Sequence, residues 1–347
     1  MAQATIYGTF DQAYRSDRAV MGTAATNSKK GIDSVLNGGM AIGFKGSEDL
    51  GSGLTASFVA EIGFEPSDAY TGYAPVGTVG LTGNSTAIAI SNGVNNRQSF
   101  VGLSGGFGSL NVGRQYSNIF LAACGYDIGG CANMAGNLAI MVASDASTDV
   151  RRANAINYTL PSFAPGLTVQ IGKAYGETVR VGANATNNAG DSSSYTLGYA
   201  TGPFSATFAA ETTDNTGAFG GFVNKAAASI AMKRKTNVTG LSYDAGVAKL
   251  NYTNSKSTVG PAASKASMYG ISVPLGALTL GYESGTGSTS ATSAAASALK
   301  GSQFALNYAF SKRTTAYMRQ GTASETTAVG ANTAKVTTSA VGISHNF

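Results

Sequence analysis

The feature that most constrains the fold is a side-chain pattern with a period of two residues, which returns in many short segments. In 278–283, 304–310 and 204–211, larger apolar or aromatic residues alternate with small, polar or charged ones, and the chain ends 341–347 in the same way. Because successive side chains of a β-strand point to opposite sides, each segment predicts a strand with one apolar and one polar face. Such strands suit a membrane when the sheet closes on itself, since no backbone edge then meets lipid.

Composition favours this interpretation over a helical membrane protein or a soluble sandwich. Charged residues make up 12% of the 347 residues, and the mean hydropathy is +0.03. No apolar run approaches the roughly 18–20 residues that a membrane helix needs, whereas a barrel strand needs only about 9–11 alternating residues. A soluble sandwich would bury an apolar core between its sheets. The second face is instead rich in Ser, Thr, Gly and Asn, which suits a water-filled lumen.

The basic charge balance predicts no nucleic-acid partner. The net charge is +5, but Lys29-Lys30 and Lys233-Arg234-Lys235 are short, isolated runs without interleaved aromatic residues. The opening segment 1–5 has no charged region followed by an apolar stretch, so we expect an exported chain from which a leader has been removed.

Cys124 and Cys131 are close in sequence, and an exported protein passes through an oxidising compartment, so a disulfide is favoured. Two thiolates are too few for zinc, and the single histidine, His345, lies far away in the sequence. We therefore expect neither a metal site nor a cofactor.

Short and long connections alternate along the chain, as they do between the two sides of an outer-membrane barrel. Seven turns rich in Gly, Asp and Pro separate pairs of strands. Eight longer polar stretches lie at about 16–34, 67–94, 116–150, 177–191, 213–233, 254–266, 285–300 and 322–335. Fifteen connections predict a single domain, 1–347, folded as an all-β, sixteen-stranded antiparallel transmembrane β-barrel, although fourteen or eighteen strands also fit the pattern.

Several segments resemble the general porins of Gram-negative bacteria, in particular those of the β-proteobacteria. They occur in the same order and at the same spacing along the whole chain. These segments are Thr5-Ile6-Tyr7-Gly8-Thr9-Phe10-Asp11, 43–51, 100–108, Val112-Gly113-Arg114-Gln115-Tyr116, 151–158 and 341–347. Each is weak alone, but six in order are specific.

The resemblance implies a homotrimer in the bacterial outer membrane, in contact with lipid and lipopolysaccharide. It implies that the third long loop, about 116–150, folds inward and narrows the barrel, and that the second, about 67–94, latches onto a neighbour. The terminal Phe347 is similar to the signal that the outer-membrane assembly machinery recognises, and a lipid-facing aromatic in the interfacial girdle is a compatible interpretation.

Strand parity assigns charged residues to the lumen wall. Outward-facing Phe44, Phe58 and Ile62 place Lys45 and Glu61 inside. Outward-facing Phe100 and Gly102 place Arg97 and Ser99 inside, and outward-facing Ile156 and Tyr158 place Arg151 and Asn157 inside. The resemblance sets Arg97 and Arg151 opposite the acids of the inward loop, which are Asp127, Asp145 and Asp149. These charges would form the constriction, unless they are merely solvated in a wide vestibule.

Arg114 is predicted to face outward at a strand end. In relatives this arginine meets an acid of the neighbour's latching loop, for which Glu65 and Asp68 are the nearest candidates, while a residue snorkelling to the membrane interface is the alternative. The chain also departs from the family pattern. Ala41 stands where an arginine is common, and the acidic Pro-Glu-Phe-Gly-Gly type of sequence is missing from 116–150.

Three functions remain in view. The first is a general-diffusion porin for ions and small hydrophilic solutes, with a mild preference for anions set by pore width and wall charge. The second is a porin that prefers small organic acids or other anionic nutrients. The third, an outer-membrane enzyme, is disfavoured because His345 has no nucleophile and acid arranged around it in the sequence.

Overall fold

The computed structural model describes residues 3–21, 27–36, 39–64, 94–131, 134–143, 150–176, 190–215, 232–291, 294–327 and 333–347. The first half contains β1 (Gln3–Met21), β2 (Asn27–Asp33), β3 (Met40–Gly51), β4 (Leu54–Phe64), β5 (Val94–Gly105), β6 (Gly108–Tyr116), α1 (Asn118–Cys124), α2 (Leu138–Ala143), β7 (Arg151–Thr159) and β8 (Leu167–Ala174). The second half contains β9 (Ser192–Thr201), β10 (Phe204–Asn215), β11 (Met232–Asp244), β12 (Lys249–Val259), β13 (Ala262–Leu275), β14 (Leu278–Ala291), β15 (Ala294–Ala309), β16 (Thr314–Thr327) and β17 (Thr333–Asn346).

The strands pair with their neighbours in antiparallel register and close into a barrel, because β1 pairs with β17. Both β2 and β3 pair with β1, along successive parts of its length, and so form one interrupted strand of the wall. The wall therefore has sixteen strands, as predicted. Closure leaves no free sheet edge, which is the condition for a sheet to lie in lipid.

The interruption between β2 and β3 corrects the predicted long loop 16–34. Strand β1 continues to Met21, and β2 already begins at Asn27. The described non-strand residues are instead 34–36 and 39, and here the carboxylate of Asp11 accepts hydrogen bonds from the backbone N–H groups of Val35 and Leu36 at 2.6 and 2.7 Å. A side-chain acceptor here replaces the backbone ladder.

Two further predicted loops are strand. Strands β12 and β13 run through most of 254–266 and leave only Gly260 and Pro261 between them, and β14 and β15 run through most of 285–300. These extensions carry Ser, Thr, Gly and Ala on both faces, so the alternation that marks a lipid-facing strand is weak there.

The outer face is apolar and the inner face is polar or covered by the chain itself. Large residues such as Ile6, Tyr14, Val101 and Tyr269 are exposed on the outside. Among the residues described above, no helix is both long and apolar enough to span a membrane. The buried apolar clusters lie instead between the inner wall and the segment that connects β6 to β7.

Candidate functional site

The described parts of the connection from β6 to β7, 117–131 and 134–143, lie against the inner wall from β9 to β16. Residues of α1, such as Ile119 and Ala123, are buried with Ala209 of β10 and Val238 of β11. In the same way, Leu138 and neighbouring residues of α2 are buried with Ala266, Met268 and Leu299. These wall residues alternate with exposed outward ones, so the connection packs on the inside of the barrel.

Glycines on the inner wall allow this close approach. A Cβ atom on Gly240 would overlap the ring of Tyr126, and one on Gly321 would overlap the backbone carbonyl oxygen of Ala135. Next to them, a Cβ on Gly270 would lie 2.9 Å from Cγ2 of Ile128. The absence of side chains on these wall residues lets the loop pack directly on the sheet, through side chains at Tyr126 and Ile128 and through its backbone at Ala135.

Local sequence also shapes the loop. Ser117 caps α1, because its hydroxyl accepts a hydrogen bond from the backbone N–H of Phe120 at 3.2 Å. Cys124 and Cys131 are joined as a disulfide, with their Cα atoms 5.2 Å apart. The hydroxyl of Tyr126, between them, donates to Thr207 on the wall at 2.9 Å.

Asp127 holds the loop together and to the wall. Its carboxylate accepts hydrogen bonds from the backbone N–H groups of Gly129 and Cys131 at 2.9 and 2.6 Å. The side-chain amide of Gln303 donates to Asp127 at 2.5 Å and to Glu283 at 2.6 Å. Burial raises the pKa of the Asp127 carboxyl. This differs from the prediction, since these bonds tie Asp127 to β14 and β15 and not to Arg97 or Arg151.

The inner wall from β3 to β7 carries the predicted charged residues. Glu61 and Arg97 form a buried ion pair, with Nε of Arg97 2.6 Å from Oε1 of Glu61. The hydroxyl of Tyr7 donates to Oε2 of Glu61 at 3.0 Å. Lys45 lies beside this pair, with its Nζ atom 5.0 Å from the centre of the Tyr7 ring.

Tyr116, at the end of β6, brings the two predicted arginines together. Its hydroxyl accepts hydrogen bonds from Nη2 of Arg97 at 2.8 Å and from Nη2 of Arg151 at 3.1 Å. The Arg151 guanidinium also lies 4.7 Å from the centre of the Tyr116 ring. Among the described residues no carboxylate pairs with Arg151, and its Nε is buried without an acceptor. Within the described residues, Arg97 is therefore compensated by an acid, whereas Arg151 is not.

Sequence reasoning missed a second ion pair on this side of the lumen. Arg152 binds Glu211 of β10 through a short contact, and its Nη2 also donates to the Thr213 hydroxyl at 3.1 Å. The pair is 59 residues apart in the sequence, and strict alternation counted back from the outward Ile156 would place Arg152 outside. A register shift between Arg152 and Ala155, opposite Gly113 and Gln115, breaks that alternation.

The predicted parity of β5 is wrong, yet Arg97 still faces inward. Val101 is 61% exposed and Leu103 is also exposed, so the outward residues are these and not Phe100 or Gly102. Ser99 pairs with the outward Ala60 and is exposed, which contradicts its predicted inward position. A β-bulge opposite Glu61 and Ile62 inserts Arg97 as an extra residue, and this insertion turns its side chain to the inside.

Arg114 lies on the outer face with Val112, as its parity predicts, and its Nε donates to the backbone carbonyl of Asn96 at 2.9 Å. The backbone of Phe347 exchanges hydrogen bonds with that of Gly8, and its ring lies 5.9 Å from the Phe10 ring. Asp145, Asp149, Glu65, Asp68 and the segment 67–93 lie outside the described residues. Within the described ranges no group of three or more His, Cys, Asp or Glu side chains is placed to hold a metal ion.

Comparison with known proteins identifies homologous sequences. The chain is 30% identical over 198 residues to the major outer membrane protein P.IB of Neisseria lactamica, an alignment that covers 54% of this chain and 51% of that protein. It is 35% identical over 116 residues to P.IB of Neisseria meningitidis serogroup B, covering 33% and 28%. The chain thus spans about half the length, or less, of these curated relatives.

Solved structures with the same fold extend over the whole chain. The anion-selective porin from Comamonas acidovorans superposes with a TM-score of 0.78 at 22% identity, covering 100% of both chains. Salmonella typhi OmpF superposes with a TM-score of 0.66 at 17% identity, covering 99% of this chain and 97% of that one. These likenesses establish the fold. The family model described as Gram-negative porin matches residues 1–346, so the chain belongs to the Gram-negative porin family and is a β-barrel of the outer membrane.

Proposed function

We propose that the protein is a general-diffusion porin, a channel through which ions and small hydrophilic solutes cross the outer membrane passively. The observation that carries the proposal is the uneven lining of the barrel. The loop lies along β9 to β16, while the wall from β3 to β7 keeps Lys45, Glu61, Arg97 and Arg151 facing the lumen. A charged, wet wall lowers the barrier that a hydrocarbon layer presents to polar solutes.

The same wall supports a mild preference for anions. Arg97 is neutralised by Glu61, but Arg151 has no carboxylate partner in the described part of the chain. An uncompensated cation beside the solute path attracts anions and repels cations. The solved porin from Comamonas acidovorans, which has the same fold, is named as anion-selective.

The segment 116–150 is proposed to be the constriction loop, and 67–94 the loop that latches onto a neighbouring subunit in a homotrimer. The inward packing of 117–131 and 134–143 supports the first assignment. For the second, a similar solved porin, OmpT of Vibrio cholerae, is described in a trimer form. The outward Arg114 is then a candidate trimer contact, and Phe347 the candidate signal for the assembly machinery.

Single-channel recording in a planar bilayer with a salt gradient tests this proposal. Stepwise openings in groups of three and a reversal potential of the sign expected for anions would support it. Swelling of liposomes in sugars of increasing size should become slower with size. A folded protein that never opens, or that excludes every sugar regardless of size, would contradict general diffusion.

A channel that prefers small organic acids is the second candidate, and one observation favours it. The guanidinium groups of Arg97 and Arg151 both donate a hydrogen bond to the Tyr116 hydroxyl. Two guanidinium groups this close together offer N–H donors to the carboxylate of a solute. Uptake of a labelled dicarboxylate should then saturate, and Arg151→Gln should weaken that saturation. A linear dependence of uptake on concentration in the parent protein would exclude this candidate.

The proposal is of a channel and not of an enzyme. His345, the one histidine of the chain, is on the outer face of β17, where its Nδ1 lies 2.9 Å from the Thr314 hydroxyl. No carboxylate accompanies it there within the described residues.

A further inference from the structure

The helix α1 of the inward loop has a face that does not pack on the barrel wall. Ile119, Ala122 and Ala123 are buried against the wall. Successive residues of an α-helix are about 100° apart around its axis, so Leu121 points away from Ile119 on the opposite side of the helix. The Leu121 side chain is 50% exposed. Because the wall lies behind α1, this leucine faces the lumen.

An exposed leucine in the lumen departs from the polar character of the rest of the channel. The other large apolar side chains that are exposed in the described ranges lie at outward-facing strand positions or in the connections and chain end that follow the strands. The interior of an outer-membrane channel is polar, since ions and sugars interact with polar groups. Leu121 offers these solutes nothing, but it offers contact area to a solute with an apolar part.

The apolar surface continues from Leu121 to the arginines of the wall. Phe120 is the preceding residue, and its ring stacks on the Tyr116 ring with the ring centres 5.6 Å apart and the planes inclined by 13°. The Arg151 guanidinium lies 4.7 Å from the centre of the same Tyr116 ring. These four side chains, Arg151, Tyr116, Phe120 and Leu121, form a continuous surface that we name the arginine–leucine strip.

The cationic end of the strip is open to an external anion. In the described structure the Arg151 guanidinium donates from Nη2 to the Tyr116 hydroxyl at 3.1 Å, and no carboxylate pairs with it. Its Nε–H is buried without an acceptor. Arg97 shares the same hydroxyl but is already paired with Glu61. The strip therefore carries one cation without its own anion, next to apolar surface.

This combination selects a solute that has a single anionic group and an apolar body. A carboxylate suits the cationic end, because its two oxygens match the planar fork of N–H donors that a guanidinium presents. An aromatic ring suits the other end, because its flat face and its edge both pack favourably against another ring such as Phe120. Sugars and inorganic ions match at most one end of the strip.

We propose that the arginine–leucine strip binds aromatic monocarboxylates on their way through the channel. The carboxylate lies at Arg151, and the ring lies against Phe120 and Leu121. The inference rests on the proposed function and deepens it, because it names a solute class that the channel retains while other small solutes pass. It differs from the dicarboxylate candidate, which needs two charges and no apolar surface.

The test uses three probes that separate charge from ring. Phenylacetate carries both, acetate carries the charge alone, and phenylethyl alcohol carries the ring alone. The measurement is the concentration of each probe that halves the potassium chloride current of the open channel in a planar bilayer at low ionic strength. The alcohol also controls for partition of aromatic probes into the bilayer.

Two variants remove one end of the strip each. Leu121→Asn removes the apolar end and keeps a side chain of similar size on the exposed side of α1. Arg151→Gln removes the cationic end. The matched control for the first is Leu50→Asn, the same change at a leucine that is 52% exposed at the end of β3, in a short turn.

The parent should be blocked by phenylacetate at a concentration at least about tenfold lower than by acetate, because each buried methylene equivalent contributes about fourfold. Leu121→Asn should raise the half-blocking concentration of phenylacetate by about fourfold to tenfold and that of acetate by less than about twofold. Arg151→Gln should raise both by about tenfold, since a hydrogen bond to a charged group is lost. Leu50→Asn should change neither.

Three results overturn the proposal. The first is a parent that phenylacetate and acetate block equally well. The second is a Leu121→Asn variant in which both acids weaken by the same factor, which would show that the change has shifted the loop and not removed a contact. The third is block by phenylethyl alcohol as strong as that by phenylacetate, since the ring alone would then account for binding.

A second measurement separates this site from the proposed channel. Saturation-transfer difference NMR on the solubilised protein reports contact with the ring protons of phenylacetate without any current. A protein that shows this transfer, loses it in Leu121→Asn and never conducts would contradict the diffusion channel and leave the site standing. A protein that conducts chloride without preferential block by phenylacetate keeps the channel and overturns the site.

Discussion

Neutralising Arg151 should remove most of the proposed anion preference because, of the two arginines that meet at Tyr116, it is the one without a carboxylate partner in the described structure. The change Arg151→Gln keeps a long polar side chain that can still bond to the Tyr116 hydroxyl. The Nε–H of Arg151 donates no hydrogen bond in the described structure, and the partner of the guanidinium is the Tyr116 side chain, so we expect the variant barrel to fold normally.

The size of the effect follows from Coulomb's law. An ion at about 4 Å from the guanidinium in a water-filled pore interacts by about 1 kcal/mol, which screening reduces to about 0.7 kcal/mol at 0.1 M salt and about 0.3 kcal/mol at 1 M. The lower-salt value corresponds to about threefold for anion attraction and about threefold for cation repulsion. The permeability ratio of anion to cation should therefore fall about tenfold at 0.1 M and about threefold at 1 M.

Reversal potentials measured in potassium chloride gradients at both ionic strengths provide the assay. The matched control is Arg313→Gln, which removes an exposed arginine from the turn between β15 and β16. A ratio that is unchanged at 0.1 M, or a fall of equal size at both salt concentrations, would refute the assignment of Arg151 as the uncompensated charge. An equal fall in the control would instead attribute selectivity to the overall charge.

Three other perturbations probe the same architecture. Arg97→Gln leaves the buried Glu61 carboxylate without its cation and should lower the free energy of unfolding in urea by about 3–5 kcal/mol. An unchanged free energy of unfolding would contradict burial of the pair. Gly321→Ala forces the loop backbone at Ala135 away from the wall at a cost of about 1–3 kcal/mol, so the single-channel conductance should change. The control is Gly106→Ala, where a Cβ meets open space. Parent-like conductance of the Gly321→Ala variant would contradict the contact between the loop and the wall. Alkylation without reductant should leave Cys124 and Cys131 unmodified, and labelled thiols in the folded protein would refute the disulfide.

The sequence predicted the barrel because lipid imposes a strict period of two on each strand. The prediction of strand ends failed where the strands leave the lipid, since the period of two is no longer imposed there. Strands β14 and β15 continue past the apolar belt through most of 285–300, where Ser, Thr, Gly and Ala occupy both faces and alternation carries little signal. In β5 two errors of the prediction offset each other, because Phe100 and Gly102 were placed outside although Val101 and Leu103 face outward, and a β-bulge then turns Arg97 inward. No pattern within one strand reveals a bulge, since it depends on pairing with β4.

The sequence predicted which charged residues lie on the inner wall, but it did not predict which residues they contact. Arg97, Arg151, Lys45 and Glu61 were identified from parity and resemblance, and the structure groups the first two at Tyr116. Their partners come from distant strands, so sequence spacing does not reveal them. Asp127 illustrates the limit, because an acid in a loop can bind its own backbone and a wall glutamine as readily as it can face a cation across the lumen.

Because the loop covers a large part of the inner wall, the solute path should lie off the axis of the barrel. Its contacts run from β9 to β16, and Met134 reaches Val35 and Leu36 at the break between β2 and β3. A solute passing through would therefore meet the arc from β3 to β8 on one flank and the back of the loop on the other. Substitutions in that arc should change permeation directly, whereas substitutions in the wall beneath the loop should change permeation by shifting the loop. A dipolar solute would then cross with one end turned consistently toward the arginines.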